Sequence, residues 1–159
     1  MIRICFVCLG NICRSPMAEF IMKDKVKKLG LSDKFHIESR ATSYEEEGND
    51  MYPLAKEMLD SKNISYTRHY AKRAEKEDYD KFDYFICMED SNIRNLKYIF
   101  DDYDNKVVKL LDRDIADPWY TGNFISTYND LVEGIDLLIK RIGWLFFFLL
   151  IKNVFYVII

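Results

Sequence analysis

The opening of the chain leaves few architectures available. Ile2-Arg3-Ile4-Cys5-Phe6-Val7 is a short, apolar, β-branched run that reads as a buried strand. It passes directly into Cys8-Leu9-Gly10-Asn11-Ile12-Cys13-Arg14-Ser15, and then Pro16. Proline is favoured in the first turn of a helix, and Ser15 is placed to cap it. Met17, Phe20, Ile21 and Leu29 fall near helical spacing, and Gly30 ends the run. The start is therefore strand, loop, helix.

That alternation continues along the chain. Local pattern predicts a strand over 35–39 and a proline-opened helix over 53–60. It predicts a second continuous apolar strand over 83–88, then a helix capped by Ser91 and running to about Phe100. A short strand over 107–111 and an amphipathic final helix over 131–142 complete the series. The expected fold is α/β with three layers: a central, mainly parallel four-stranded sheet flanked by helices. Ligands of such sheets bind at the carboxyl ends of the strands, so the loop after strand one is where chemistry is expected. The polar stretch 41–51, with Glu45-Glu46-Glu47-Gly48, is expected along the same edge. The stretch 112–123, carrying Asp117-Pro118-Trp119-Tyr120, reads as a second loop.

Composition narrows the function. The 159 residues suit one domain, and a chain of this length buries roughly two thirds of its unfolded surface. With 23 basic and 26 acidic residues interspersed, the net charge is −3, which provides no basic field for nucleic acid. Three of the four cysteines, Cys5, Cys8 and Cys13, crowd together, with Cys87 far off. That spacing does not suit a secreted disulfide framework, and no leader pattern precedes it. Neither does it suit a metal site: a second Cys/His pair is lacking, and His36 and His69 are isolated. The expectation is reduced thiols, a cytoplasmic location, no metal and no cofactor.

The loop 8–15 has the makings of an anion site. Backbone amides closed by a helix N-terminus form a positive cup. Gly10 permits a sharp turn, and Asn11 tolerates left-handed dihedrals. Arg14 adds a planar fork that can hold two phosphate oxygens at once. Cys8, at the strand end, faces that cup as a nucleophile favoured in its thiolate form. The bare Cys-x5-Arg spacing arises by chance in many chains. Here it follows a strand, holds Gly10 and Asn11, and opens a proline-started helix, and this context makes it a phosphate-binding loop.

The stretch from Phe6 to Pro16 resembles the signature of the low-molecular-weight protein tyrosine phosphatases. Phe82-Asp83-Tyr84-Phe85-Ile86-Cys87-Met88 with Ser91-Asn92 resembles a second block of that family, and Asp117-Pro118-Trp119-Tyr120 is similar to its acid loop. The resemblance implies residues 1–142 as the phosphatase domain. It implies Cys8 as the nucleophile forming a phosphocysteine, Arg14 as the phosphate clamp and Asp117 as the general acid and base. Ser15 would bond the Cys8 sulfur. Leu9, Gly10, Asn11, Ile12 and Cys13 would surround the substrate, with Trp119 and Tyr120 at the pocket mouth. The substrates would be phosphotyrosine-containing proteins, with phosphate as product and inhibitor. Cys13 would pair with Cys8 under oxidation. Cys5 and Cys87 read as inert core, and Arg3, Arg40, His69 and the run 45–47 as surface or loop residues, with a buttress of the site as the lesser alternative for His69. Asp117-Pro118 taken alone is an ordinary turn signal.

Three rivals share the loop. Arsenate reductases use two further cysteines in a later segment, and Cys87 stands alone. A phosphoarginine phosphatase carries threonine where Ile12 stands, and the bulky Ile12 favours tyrosine. A noncatalytic phosphate-binding module would not need Cys8, Arg14 and Asp117 together. The tail 143–159 departs from the family. Its Gly143-Trp144-Leu145-Phe146-Phe147-Phe148-Leu149-Leu150-Ile151 is interrupted by Lys152-Asn153, and 17 residues reach only about 25 Å as a helix. Extra core or a self-association surface ranks first for it, membrane contact through an interfacial anchor second, and a spanning helix last.

Overall fold

The computed structural model describes residues 1–100 and 106–155, with side chains as far as Gly143. The order is β1 (Ile2–Cys8), α1 (Arg14–Lys28), a 3-10 turn (Ser32–Lys34), β2 (Phe35–Ala41) and α2 (Pro53–Ser61). There follow α3 (Asp78–Lys81), β3 (Tyr84–Cys87), α4 (Asp90–Phe100), β4 (Val107–Lys109), α5 (Pro118–Thr121) and α6 (Phe124–Phe155). The four strands form one sheet in the order β2-β1-β3-β4, and every pairing is parallel. The expected three-layer α/β architecture is therefore present.

Strand β1 shows why the sheet is covered on both sides. Successive side chains point to opposite faces. Ile4, Phe6 and Cys8 join one buried cluster with Met17, Ile21, Leu59, Leu131 and Ile135. Cys5 and Val7 join another with Phe82, Phe85, Leu96 and Phe100. A run apolar on both faces is what a central parallel strand requires. Helix α1 lies deep: Arg14 through Met22 are all buried. Leu29, placed on its apolar spacing, is instead exposed just before Gly30, whose φ of 70° ends the helix.

The strand order places the chemistry. Chain direction away from β1 reverses between β2 and β3, so the carboxyl ends of β1 and β3 border a crevice at the switch point. The loop after β1 opens there. The loop leading to α5 is hung on the same edge, because Ile115 N–H donates to Met88 O at 2.8 Å. Thr127 Oγ1 donates to Ala116 O at 3.1 Å and ties that loop to α6.

Several boundaries differ from the local pattern. Ser15 lies inside α1 and caps nothing; the N-cap is Cys13, without a side-chain bond. Ser91 likewise lies within α4, and it is Asn92 Oδ1 that accepts from Met88 N and Glu89 N. The final helix begins at Phe124, seven residues ahead of the pattern-based start at Leu131, where Asn123 Oδ1 accepts from Ser126 N at 3.0 Å. It also runs without a break past Ile142 to Phe155. The side chains of the apolar tail beyond Gly143, and any role for them, lie outside the described residues. Among the described residues no helix is long and apolar enough to cross a membrane.

Gly134 marks where α6 presses on the sheet edge, since a Cβ built there would overlap Leu110 Cγ, and Leu110 is itself buried. Helix propensity alone favours alanine by about 1 kcal/mol, but overpacking a filled core costs about 1–3 kcal/mol. Gly134→Ala is therefore expected to destabilise the protein in urea unfolding, opposite in sign to a surface helix substitution.

Candidate active site

Cys8 ends β1 with its sulfur among donors. Asn11 N–H donates to Cys8 Sγ at 3.2 Å, and Ser15 Oγ lies 3.0 Å away. Asn11 Nδ2 donates to Ser15 Oγ at 2.8 Å, so Ser15 has its one proton left to give. The sulfur is nearer than the alternative acceptor, Arg40 O at 3.4 Å. Two donors are thus aimed at one sulfur.

Asn11 holds the loop in shape. Its φ of 59° is the left-handed turn, whereas Gly10 has no positive φ. Gly10 serves close approach instead: a Cβ there would meet Glu46 Cγ at 3.2 Å. The Asn11 side chain points inward, fully buried, and uses its whole hydrogen-bonding capacity. Nδ2 also donates to Ser39 Oγ at 2.9 Å, while Oδ1 accepts from Lys72 N and from His69 Nε2, each at 3.1 Å. His69 Nε2 additionally faces Asn11 O at 2.8 Å. Both partners are acceptors, so the proton sits on Nε2. His69 is thus a buried support of the loop, not the surface residue its isolation suggested. Ser39 Oγ continues to Glu19 Oε2 at 2.6 Å.

Arg14 joins the separate pieces. Its side chain is 1% exposed. Nη1 donates to Ile115 O at 3.0 Å, and Nη2 reaches Asp117 Oδ2 at 2.6 Å and Glu89 Oε1 at 3.1 Å. Burial works against its charge, but the Cys8 sulfur, Asp117 and Glu89 outweigh burial and hold the guanidinium above its ordinary range. Arg14 Nε is buried without a partner, a donor left over for a ligand. Asp117 Oδ1 accepts from Trp119 N at 3.1 Å, which caps α5 and sets the carboxylate.

One cleft gathers Cys8, Leu9, Gly10, Ile12, Cys13, Arg14, Asp117, Trp119 and Tyr120, with Glu45 and Glu46 beside them. Asn11 and Ser15 lie beneath it, fully buried. Trp119 and Tyr120 are exposed at the mouth, Trp119 edge-on to Tyr52 at 5.0 Å between ring centroids. Burial, then the neighbouring Cys8 sulfur, push the Cys13 and Cys87 thiols upward, so both stay protonated. Arg40 is no surface residue either: it pairs with fully buried Asp78 at 3.2 Å. Arg3 is a surface ion pair with Asp83 at 2.6 Å.

Residues 3–143 match the family described as low molecular weight phosphotyrosine protein phosphatase. The chain belongs to that family. It is similar to the low molecular weight protein-tyrosine-phosphatase PtpA of Staphylococcus epidermidis, 36% identical over 148 residues, covering 89% of this chain and 94% of that protein. The crystal structure of SP-PTP from Streptococcus pyogenes superposes with TM-score 0.84 at 40% identity, over 89% of this chain and 93% of the other. That of YfkJ from Bacillus subtilis gives 0.87 at 36%, over 90% and 95%. The protein is a protein tyrosine phosphatase.

Sequence reasoning on this phosphatase missed Glu89, the second carboxylate on Arg14, and ranked the buttressing role of His69 behind a surface or loop position. Glu89 follows β3 directly, so the rule that sites gather at strand carboxyl ends would have found it. No local signal marks His69, which reaches Asn11 across 58 residues.

His69 also makes stability depend on pH. Burial foremost lowers its pKa from 6.5, so the folded protein keeps it neutral where the unfolded chain takes up a proton. The unfolded state then binds more protons, and stability falls as pH drops below about 6.5. Urea midpoints between about pH 7 and pH 5 are expected to decline in the wild type, and less steeply in His69→Asn.

Proposed function

We propose that the protein hydrolyses phosphotyrosine in proteins through a phosphocysteine, with Cys8 as nucleophile, Arg14 as phosphate clamp and Asp117 as general acid and base. The observation that carries this reading is the Arg14–Asp117 contact of 2.6 Å, which brings the loop holding Cys8 against a carboxylate 103 residues away.

The resting geometry supplies the steps. A phosphate dianion entering the cup takes Arg14 Nε and displaces Asp117 from Nη2, and the freed Asp117 carboxylate takes up a proton from solvent before it faces the ester oxygen. Glu89 and Ile115 O keep the guanidinium plane in place meanwhile. Cys8 Sγ attacks phosphorus in line: the S–P bond forms, the P–O bond to tyrosine breaks, and Asp117 gives its proton to the departing phenolate. Asp117 then takes a proton from water, whose oxygen attacks phosphorus, breaks the S–P bond and returns Cys8 as thiolate. Such a transition state is loose, so positioning and charge stabilisation supply most of the rate. Released phosphate fits the same cup and acts as a competitive inhibitor. Leu9 to Cys13 and Ser15 shape the cup, and Ile12 with Trp119 and Tyr120 provides apolar walls for an aromatic ring.

On para-nitrophenyl phosphate and phosphotyrosine peptides, Cys8→Ser is expected to abolish turnover while still binding phosphate. Asp117→Asn is expected to lower kcat by about 10²–10⁴-fold, the usual worth of a general acid. Acid quench of Asp117→Asn should trap phosphate on Cys8, and turnover surviving in Cys8→Ser would refute the mechanism.

Residues 1–142 are proposed as the catalytic domain. Ile142 is the last described residue of the core cluster, and the family match ends at 143. A chain ending at Ile142 is expected to keep kcat on para-nitrophenyl phosphate within about twofold, since every proposed catalytic group lies before it. Unfolding of that chain would show that the tail belongs to the core.

A further inference from the structure

The mouth of the cleft carries a charge pattern that the hydrolytic mechanism does not need. Of the residues lining it, Glu45, Glu46 and Asp117 are acidic and Arg14 alone is basic. Arg14 is already met by Asp117 and Glu89. Three carboxylates thus stand against one guanidinium on the path of an incoming dianion, and this arrangement by itself repels substrate. Yet Arg14 Nε, buried and unpartnered at the base, is placed for that dianion.

Glu46 is held in position. Its Oε2 accepts from Asn49 Nδ2 at 2.7 Å, its carbonyl accepts from Asn49 N at 2.9 Å, and Gly10 leaves the space that its Cγ occupies over the loop. Glu45 stands exposed beside it. Glu47 turns away and accepts from Arg73 N at 2.8 Å. Nearby cations are committed elsewhere. The Arg73 guanidinium bonds Thr42 O and Tyr44 Oη and lies over the Tyr44 ring at 4.4 Å, and Lys72 pairs with Glu75 at 3.2 Å.

Resting on the phosphatase reading of this cleft, we propose that Glu45 and Glu46 make the enzyme select phosphotyrosines flanked by lysine or arginine. A phosphotyrosine side chain long enough to place its phosphate at Arg14 leaves the substrate main chain at the rim, where its neighbours face Glu45 and Glu46. A cation there offsets the repulsion that the phosphate meets on entry. An aspartate or glutamate there adds to it. Each exposed charge pair is worth up to about fivefold in binding, and two pairs of about threefold each give roughly tenfold at low salt.

Three phosphotyrosine peptides differing only in flanking Lys, Ser or Asp test this, assayed for kcat/KM with the full chain and with Glu45→Gln/Glu46→Gln. The expected order is Lys, Ser, Asp, with about a tenfold span at low ionic strength. That span should shrink toward unity in the double variant and in 0.5 M salt, where the Debye length falls to about 4 Å. A flat or reversed order with good hydrolysis of the Ser peptide overturns the selectivity and leaves the phosphatase reading intact. A preference that persists unchanged in the double variant overturns the assignment to Glu45 and Glu46. Failure to hydrolyse any of the three peptides sinks the phosphatase reading and this proposal with it.

Discussion

The site depends on a guanidinium that cannot lose its charge and is almost wholly removed from water. Stranding such a charge costs about 3–5 kcal/mol, so the fold must bring acceptors to both terminal nitrogens of Arg14, while Nε is left without one. It does so from three separate segments: Glu89 after β3, Ile115 O in the following loop, and Asp117 at the start of α5. The same contacts that satisfy Arg14 draw the acid loop over the cup. Assembly of the proposed catalytic groups and pairing of a buried cation are one event.

A second constraint keeps the cup open. The left-handed turn at Asn11 is costly for a residue with a Cβ, and it persists because Asn11 is bonded on all sides by Ser15, Ser39, His69 and the Lys72 backbone. The loop is thereby rigid without substrate. In the mechanism proposed above, its amides and the Arg14 plane need little rearrangement as charge moves from sulfur to phosphate and on to the phenolate, which is where a preorganised site gains its advantage. Asp117 is partly exposed while Arg14 is not, so in the proposed mechanism it is this carboxylate that yields its place on Nη2 to a phosphate.

The acidic rim lies outside this rigid centre. Glu45 and Glu46 sit on a loop that packs against Gly10 but contributes no bond to Arg14 or Asn11. On the selectivity proposed above, changes there would alter what approaches the cup without disturbing its interior.

Much of this was legible in the residues themselves. The two-faced apolar strand, the loop with Asn11, Arg14 and Cys8, and the proline-opened helix are local patterns, so the parallel three-layer fold and the position of the loop at the carboxyl end of β1 could be read directly. Element ends were less legible: Ser15 and Ser91 look like caps, but one is turned toward Cys8 and the other is displaced by the side chain of Asn92. Asp117 was readable only by resemblance, since Asp-Pro alone is a turn. Glu89, His69 and the burial of Arg40 were decided by tertiary structure alone, because each acts on a partner far along the chain. Local sequence determines backbone propensity and the faces of strands and helices; which charges meet across the switch point depends on how the sheet orders its strands, and that is settled only when the whole core closes.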